Sequence, residues 1–333
     1  MKPGLPAGVQ GQLWAVVLAG GEGVRLRPLI RRLHGTDRPK QFAAILGSRS
    51  LLRQTLDRVR TAVPDDRTVV VAVRDHEQYL AEALDGVPVP RVLVQPEDKG
   101  TGAGVLLPAH WIHRSDPEAI VAVFPSDHFI GEEALFMEHV EDAVEVVREH
   151  PGWLVLLAAP PDEPEPDYGW IEMGEITGWS PAGGPISRVH QFWEKPSPLA
   201  ARACLEKGWL WNTFVFVARA SVLLELGRQY LGQLHEQLSL VIPFRDAELE
   251  SSALEQAYGL SPKTSFSRSV LELCPPCLVV ARLPRLNWSD WGSAGRVVKS
   301  LRKAGALPSW FAEGDVLCEA HGERAPEPQA GRP

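Results

Sequence analysis

The sequence predicts an α/β fold, a mainly parallel sheet with helices on both faces. Three observations predict it. Short unbroken apolar runs such as Leu13–Ala19 and Ala119–Phe124 mark strands covered on both sides. Segments of helical spacing alternate with these runs through the first half. The polar stretches of chemical interest, Gly20–Arg25 and Pro125-Ser126-Asp127-His128, directly follow such runs. Ligands of parallel sheets sit at those strand ends.

The elements follow in order. After the strand Leu13–Ala19, Ser50–Thr61 carries helical spacing through Leu51, Leu52, Leu56 and Val59. Thr68–Val73 reads as a strand, Asp75–Leu84 as a helix, Arg91–Val94 as a strand and Gly102–Ile112 as a helix. Ala119–Phe124 is the next strand, followed by the long amphipathic Glu132–His150 and the buried strand Trp153–Ala159. Pro160–Pro185, rich in Pro, Gly and acidic residues, predicts a loop with an inserted hairpin or edge strand. Strands Ile186–Trp193 and Trp209–Ala218 bracket a helix at Pro198–Lys207. Ala220–Tyr258 reads as two or three helices, Leu278–Leu283 as a strand and Ala294–Ala304 as a final helix.

Length and composition set bounds. A chain of 333 residues with 44% apolar and 23% charged residues buries a substantial core. We divide it into a flexible N-terminus (1–12), a catalytic-sized unit (13–304) and an extension (305–333). The unit splits into halves at 13–159 and 160–304, and the Gly322–Pro333 tail reads as disordered. The net charge of −8 argues against nucleic acid or anionic membrane as partner. Leu13–Ala19 is too short to span a bilayer, so the expectation is a soluble, cytoplasmic protein. Its oligomeric state is open, a homodimer included. Four cysteines are too few for a disulfide scaffold. Cys274 and Cys277 read as ordinary thiols beside a turn, because no second pair or histidine cluster completes a metal site.

The chemistry concentrates in the glycine-rich turn. Gly20, Gly21 and Gly23 let backbone N–H groups approach phosphate oxygens, and Arg25 and Lys40 supply positive charge. Asp127, at the end of a buried strand, is placed to hold Mg²⁺, which favours one or two carboxylates plus phosphate oxygens. His128 reads as a hydrogen-bonded neighbour and not as a ligand. Two familiar phosphate motifs fail. Leu26 stands where a dinucleotide fingerprint needs its third glycine, and no Gly-Lys-Ser/Thr completes a P-loop.

The string from Leu18-Ala19-Gly20-Gly21-Glu22-Gly23 to Leu29, followed by Arg38-Pro39-Lys40-Gln41-Phe42, resembles the signature of sugar-1-phosphate nucleotidylyltransferases. Within them it most resembles the mannose-1-phosphate guanylyltransferases. The match continues in order through Gln95–Thr101, Pro125–His128, Tyr168-Gly169-Trp170-Ile171 and Phe192–Pro196. It ends with Trp211-Asn212-Thr213 and Asn287–Gly292. The resemblance implies a Rossmann-like fold of the nucleotide-diphospho-sugar transferase type, with an inserted sugar-binding hairpin region. It also implies Mg²⁺-assisted transfer of a nucleotidyl group from a nucleoside triphosphate, GTP favoured, to a sugar 1-phosphate, mannose 1-phosphate favoured.

The resemblance assigns roles residue by residue. Leu18, Gly20, Gly21, Gly23, Gln95, Gly100 and Thr101 bind the nucleotide, and Arg25 and Lys40 offset charge at the α-phosphate. Asp127 and Asp290 hold the metal. Gly169, Glu194, Lys195 and Asn212 bind the sugar phosphate. Departures from the pattern are Val24, Arg27, Gly102-Ala103-Gly104, Phe214 and Trp291. None removes a charged or metal-binding group, so they bear on base and sugar identity more than on reaction type. The alternatives are the same reaction with another base or sugar, or a weakened relative that binds a sugar nucleotide as a sensor.

Eleven tryptophans are numerous. Trp14, Trp111 and Trp153 lie in apolar patterns and read as core. Trp170, Trp193 and Trp211 lie beside the sugar motifs and are divided between core and site.

Overall fold

The structure is a computed structural model and describes residues 13–86, 88, 91–241, 247–306, 308 and 310. The N-terminal segment 1–12 and the Gly322–Pro333 tail lie outside the described residues.

The first half alternates as the sequence predicts, with α1 added to the reading: β1 (Leu13–Leu18), α1 (Arg27–His34), α2 (Leu51–Val59), β2 (Thr68–Val73), α3 (Glu77–Leu84), β3 (Arg91–Gln95), α4 (Gly100–Ser115), β4 (Ile120–Pro125), α5 (Glu133–Glu149) and β5 (Leu154–Ala159). The second half contributes the hairpin β6 (Gly169–Trp179) and β7 (Pro185–Glu194), then α6 (Pro198–Glu206) and β8 (Leu210–Arg219). The helices α7 (Ala220–Tyr230), α8 (Gly232–Val241), α9 (Ala247–Leu260) and α10 (Phe266–Ser269) follow, then β9 (Leu278–Arg282) and α11 (Ala294–Lys303). Helix starts obey capping chemistry. Ser50, Ser197 and Ser293 each accept a backbone N–H three residues on, satisfying donors that the first turn leaves free.

Among the described residues the strands form one sheet of order β3-β2-β1-β4-β8-β5-β9-β7-β6. β7 and β8 run against the other seven, so the sheet is mainly parallel. The predicted edge strand is β6, which pairs with β7 and also reaches β8 through Trp170 and Ile171. Strands buried on both faces explain the unbroken apolar runs, as in β2 and β5, where every residue is buried. One face packs on α2, α3 and α5 through Leu56, Leu80 and Phe136. The other packs on α4, α7 and α8 through Leu106, Leu223 and Leu234. Chain order reverses between β1 and β4, which pair directly although β2 and β3 come between them in sequence. That switch point is where an α/β sheet opens a ligand crevice.

The tryptophans divide. Trp14 is buried, and Trp111 packs edge-on against it. Trp153 is half-buried and packs against the core on the opposite face of the sheet. Trp170 is fully buried and Trp211 nearly so, and the two meet edge to face. Trp193 is exposed and leans on Trp209. No helix among the described residues is long and apolar enough to cross a membrane.

Candidate active site

A cleft of about 430 Å³ opens at the switch point. Leu18, Gly20, Gly21, Gln95, Gly100, Thr101, Asp127 and Lys195 are among the residues that line it. A second cavity of about 230 Å³ shares Asp127 and His128 with it and adds Gly23, Arg25, Lys40 and Asp290. Residues far apart in sequence therefore converge on two adjoining spaces. Gly169, Glu194 and Asn212 line neither space but sit together beside the cleft. Gly169 pairs with Glu194 in the β6–β7 register, and a Cβ on it would lie 2.9 Å from Glu194 Oε2 and 3.2 Å from Asn212 Cβ.

The glycine turn is held by side chains that the sequence reading quoted without a role. Gln41, almost wholly buried, donates its amide to the carbonyls of Ala19 and Gly21, both at 2.8 Å. Ser126 Oγ donates to the Leu18 carbonyl at 2.6 Å, fastening the β4 end to the β1 end. Gly23 is left-handed (φ 58°), and a Cβ there would lie 2.6 Å from Lys40 Cβ. Only glycine lets the turn close on Lys40. Arg27 pairs with Glu22 at 2.8 Å, so the extra cation of this turn is internally compensated. Gln95 is fixed by the Tyr258 hydroxyl, which donates to Oε1 at 3.0 Å.

Charge in the second cavity is arranged in pairs. Lys40 Nζ lies 2.9 Å from Asp127 Oδ2 and also donates to the Asp290 carbonyl. Arg25 pairs with Asp167 and stands 4.0 Å from Asp290 Oδ2. Asp290 Oδ1 accepts from the Tyr168 hydroxyl at 2.9 Å, from Gly292 N–H and from Arg296. Arg296 is the residue that sequence reasoning missed. It reaches Asp290, Asp167 and Glu165 at 2.7–2.9 Å and lies 4.6 Å over the Tyr168 ring. Burial works against ionised Asp290, but Arg296 and Lys40 outweigh it and hold the carboxyl below its ordinary range. Burial lowers the His128 pKa to about 4, so the ring is neutral at physiological pH and stays a neighbour of Asp127.

On the sugar side, burial raises the Glu194 carboxyl above its ordinary range, against the pull of Lys195, and Glu272 adds like charge. Glu272 also accepts the Glu194 backbone N–H at 2.6 Å. The segment 261–273 joins the two sides. Thr264 accepts from Gly102 N–H and donates to the Lys99 carbonyl, and Lys263 pairs with Asp98. Phe266 N–H donates to Thr101 Oγ1 at 2.9 Å. This span therefore runs from the start of α4 to the Glu194 backbone. Cys274 and Cys277, just beyond it, are free thiols, as expected.

Departures from the motif pattern take defined places. Val24 is exposed. Trp291 is fully buried and stacks on Phe129 at 4.8 Å, supporting a small core of its own with Leu26 and Ile30. Phe214 sits in a β-bulge of β8, where the register against β5 shifts between Leu157 and Ala158. Its φ is 57°, a left-handed backbone that costs an L-residue about 1–2 kcal/mol.

A glycine turn under paired cations and carboxylates, at the switch point of an α/β sheet, defines a phosphate-handling nucleotide fold. The sequence profile described as nucleotidyl transferase matches residues 14–299, and the chain belongs to that family. Xanthan biosynthesis protein XanB of Xanthomonas campestris pv. campestris is 31% identical over 283 residues, covering 84% of this chain and 57% of that protein. Mannose-1-phosphate guanylyltransferase of Escherichia coli is 30% identical over 290 residues, covering 85% of this chain and 59% of that protein. The chain thus spans under three-fifths of the length of these relatives. A crystal structure described as mannose-1-phosphate geranyltransferase from Thermus thermophilus superposes with a TM-score of 0.74 at 29% identity, covering 89% of this chain and 80% of that one.

Proposed function

We propose that the chain transfers a nucleotidyl group from a nucleoside triphosphate, GTP favoured, to a sugar 1-phosphate, mannose 1-phosphate favoured. An anionic oxygen of the sugar phosphate attacks the α-phosphorus in line. The new P–O bond forms as the bond to the β-phosphate bridging oxygen breaks, and pyrophosphate leaves with a nucleotide sugar such as GDP-mannose. No protein nucleophile is needed, so catalysis rests on positioning two anions and offsetting their charge.

The observation that carries this reading is the junction of the two cavities at Asp127. Glycine backbone and Gln95 line one, and Lys40, Arg25 and two carboxylates surround the other. Lys40 is poised to meet the α-phosphate charge, and Arg25, once released from Asp167, the rest of the triphosphate. Lys195 faces the cleft to take the sugar phosphate, and Glu194 accepts sugar hydroxyls beside Gly169 and Asn212.

The donor set fits Mg²⁺. Asp127 and Asp290 offer hard carboxylate oxygens to one cavity. Bound there, Mg²⁺ would offset phosphate charge. The relatives' names favour guanine and mannose. Phe214, a large side chain on the cleft wall, favours keeping another base or sugar as the second reading.

Pyrophosphate release from purified protein tests the proposal. Each triphosphate is paired with mannose, glucose and N-acetylglucosamine 1-phosphates, with and without Mg²⁺. Mg²⁺-dependent release with GTP and mannose 1-phosphate supports the full reading, and release with another pair moves only the substrate. No release from folded protein that still binds a sugar nucleotide overturns the transferase in favour of a sensor.

A further inference from the structure

We propose that Phe214 is a specificity-determining residue of the cleft, restricting it to sugars that carry nothing larger than a hydroxyl on the side turned to β8. The proposal rests on reading the cleft as a sugar-nucleotide site. Its ground is the backbone. Phe214 is a bulky residue held in the left-handed region, and strained positions that persist beside a cleft point to function.

The strain is built in by neighbours. Asn212 Oδ1 accepts the Phe214 N–H at 3.0 Å. Thr213, fully buried, donates its hydroxyl to the Leu157 carbonyl and accepts the Val215 N–H. These bonds fix the bulge, and a bulge re-aims the side chain it carries. Here the ring lines the cleft, whose lining also includes Lys195 and Gly104.

The ring is also braced. Phe216 meets it edge-on at 5.8 Å and Phe266 at 6.5 Å, with interplanar angles of 84° and 88°. Phe266 belongs to the span that binds Thr101, so the ring is tied to the nucleotide side as well. A braced ring does not swing aside, and its volume is subtracted from the cleft.

The test compares wild type with F214G, F214A and F214L in the full chain. Calorimetry measures binding of GDP-mannose and of UDP-N-acetylglucosamine, and turnover is measured with mannose and N-acetylglucosamine 1-phosphates. F214G and F214A are expected to shift the binding ratio toward the acetamido sugar at least tenfold, with F214L intermediate. A ratio within twofold of wild type in both small variants overturns the proposal. A shifted binding ratio without turnover in any variant keeps Phe214 and removes the transferase reading, so the two failures are distinguishable.

Discussion

Lys40 Nζ and Asp127 Oδ2 face each other at 2.9 Å, the lysine side chain nearly buried and the carboxylate partly open to solvent. The same ammonium donates to the Asp290 carbonyl. One cation therefore binds oxygens from both candidate metal-ligand residues. On the proposed function, a triphosphate arriving with a cation would exchange these partners without leaving a buried charge unpaired, which is the costly alternative.

Lys40→Met is expected to lower kcat by about 10²–10³, the usual cost of removing one preorganised charge donor. Lys40→Arg recovers little, since the Gly23 turn closes directly on this side chain. Steady-state kinetics with the best substrate pair decides. A kcat within threefold of wild type for Lys40→Met removes the residue from the mechanism.

Glu194→Gln separates binding from stability. Burial raises this carboxyl, so its ionised form is destabilising at neutral pH, and the neutral amide relieves that. The expected outcome is a KM for sugar 1-phosphate raised about tenfold with an unchanged or higher Tm. A lower Tm with unchanged KM would falsify the assignment.

Arg296→Met leaves Glu165, Asp167 and Asp290 without their shared cation. Breaking a buried pair this way costs about 3–5 kcal/mol, and solvent access to Asp167 places the loss at the lower end. Urea unfolding measures it. A loss below about 1 kcal/mol contradicts the network.

Two histidines predict an acid limb. Burial lowers both His110 and His128 to about 4 from an unfolded value of 6.5. The unfolded chain therefore binds protons that the native chain does not. This stability is complete above pH 6.5 and is lost as the pH falls toward 4, by roughly 3 kcal/mol per residue at most. His110 lies outside the site, packed against His235. His110→Gln is expected to lose less stability than wild type between pH 7 and pH 4.5. Parallel unfolding curves at the two pH values refute this.

Phe214→Gly is expected to be more stable than Phe214→Ala, reversing the usual order of these residues. The left-handed backbone strains alanine and not glycine. Thermal unfolding of the pair reads the difference directly, at about 2 °C or more.

The sequence made the parallel half legible because strands buried on both faces cannot hide their apolar runs. β2 was bounded to the residue at Thr68–Val73. The convergence of the glycine turn, Lys40 and Asp127 on adjoining spaces was legible because glycines and charged residues stand beside strand ends, whereas Gln95 was flagged only by the family resemblance. Arg296 was not. It lies on a helix that reads as an ordinary basic amphipath, and its partners Glu165 and Asp167 are about 130 positions away in the chain. The span 261–273 was equally silent, because each of its hydrogen bonds to the start of α4 and to Glu194 uses a backbone group on at least one side, which leaves no pattern in residue types. The left-handed backbone at Phe214 comes from a two-residue register shift against β5, which periodicity cannot register.

β8 lies between β4 and β5, antiparallel to both, although it follows them in the chain. During synthesis the ribosome delivers β4 and β5 before the strand that separates them. Until Leu210–Arg219 emerges, the nascent polypeptide carries two apolar strands with unpaired edges that cannot pair with each other in the final arrangement. Translation at about 5–20 residues per second leaves those edges open for seconds. The middle of the sheet thus closes only when β8 arrives, and β9 then fills the remaining gap between β5 and β7.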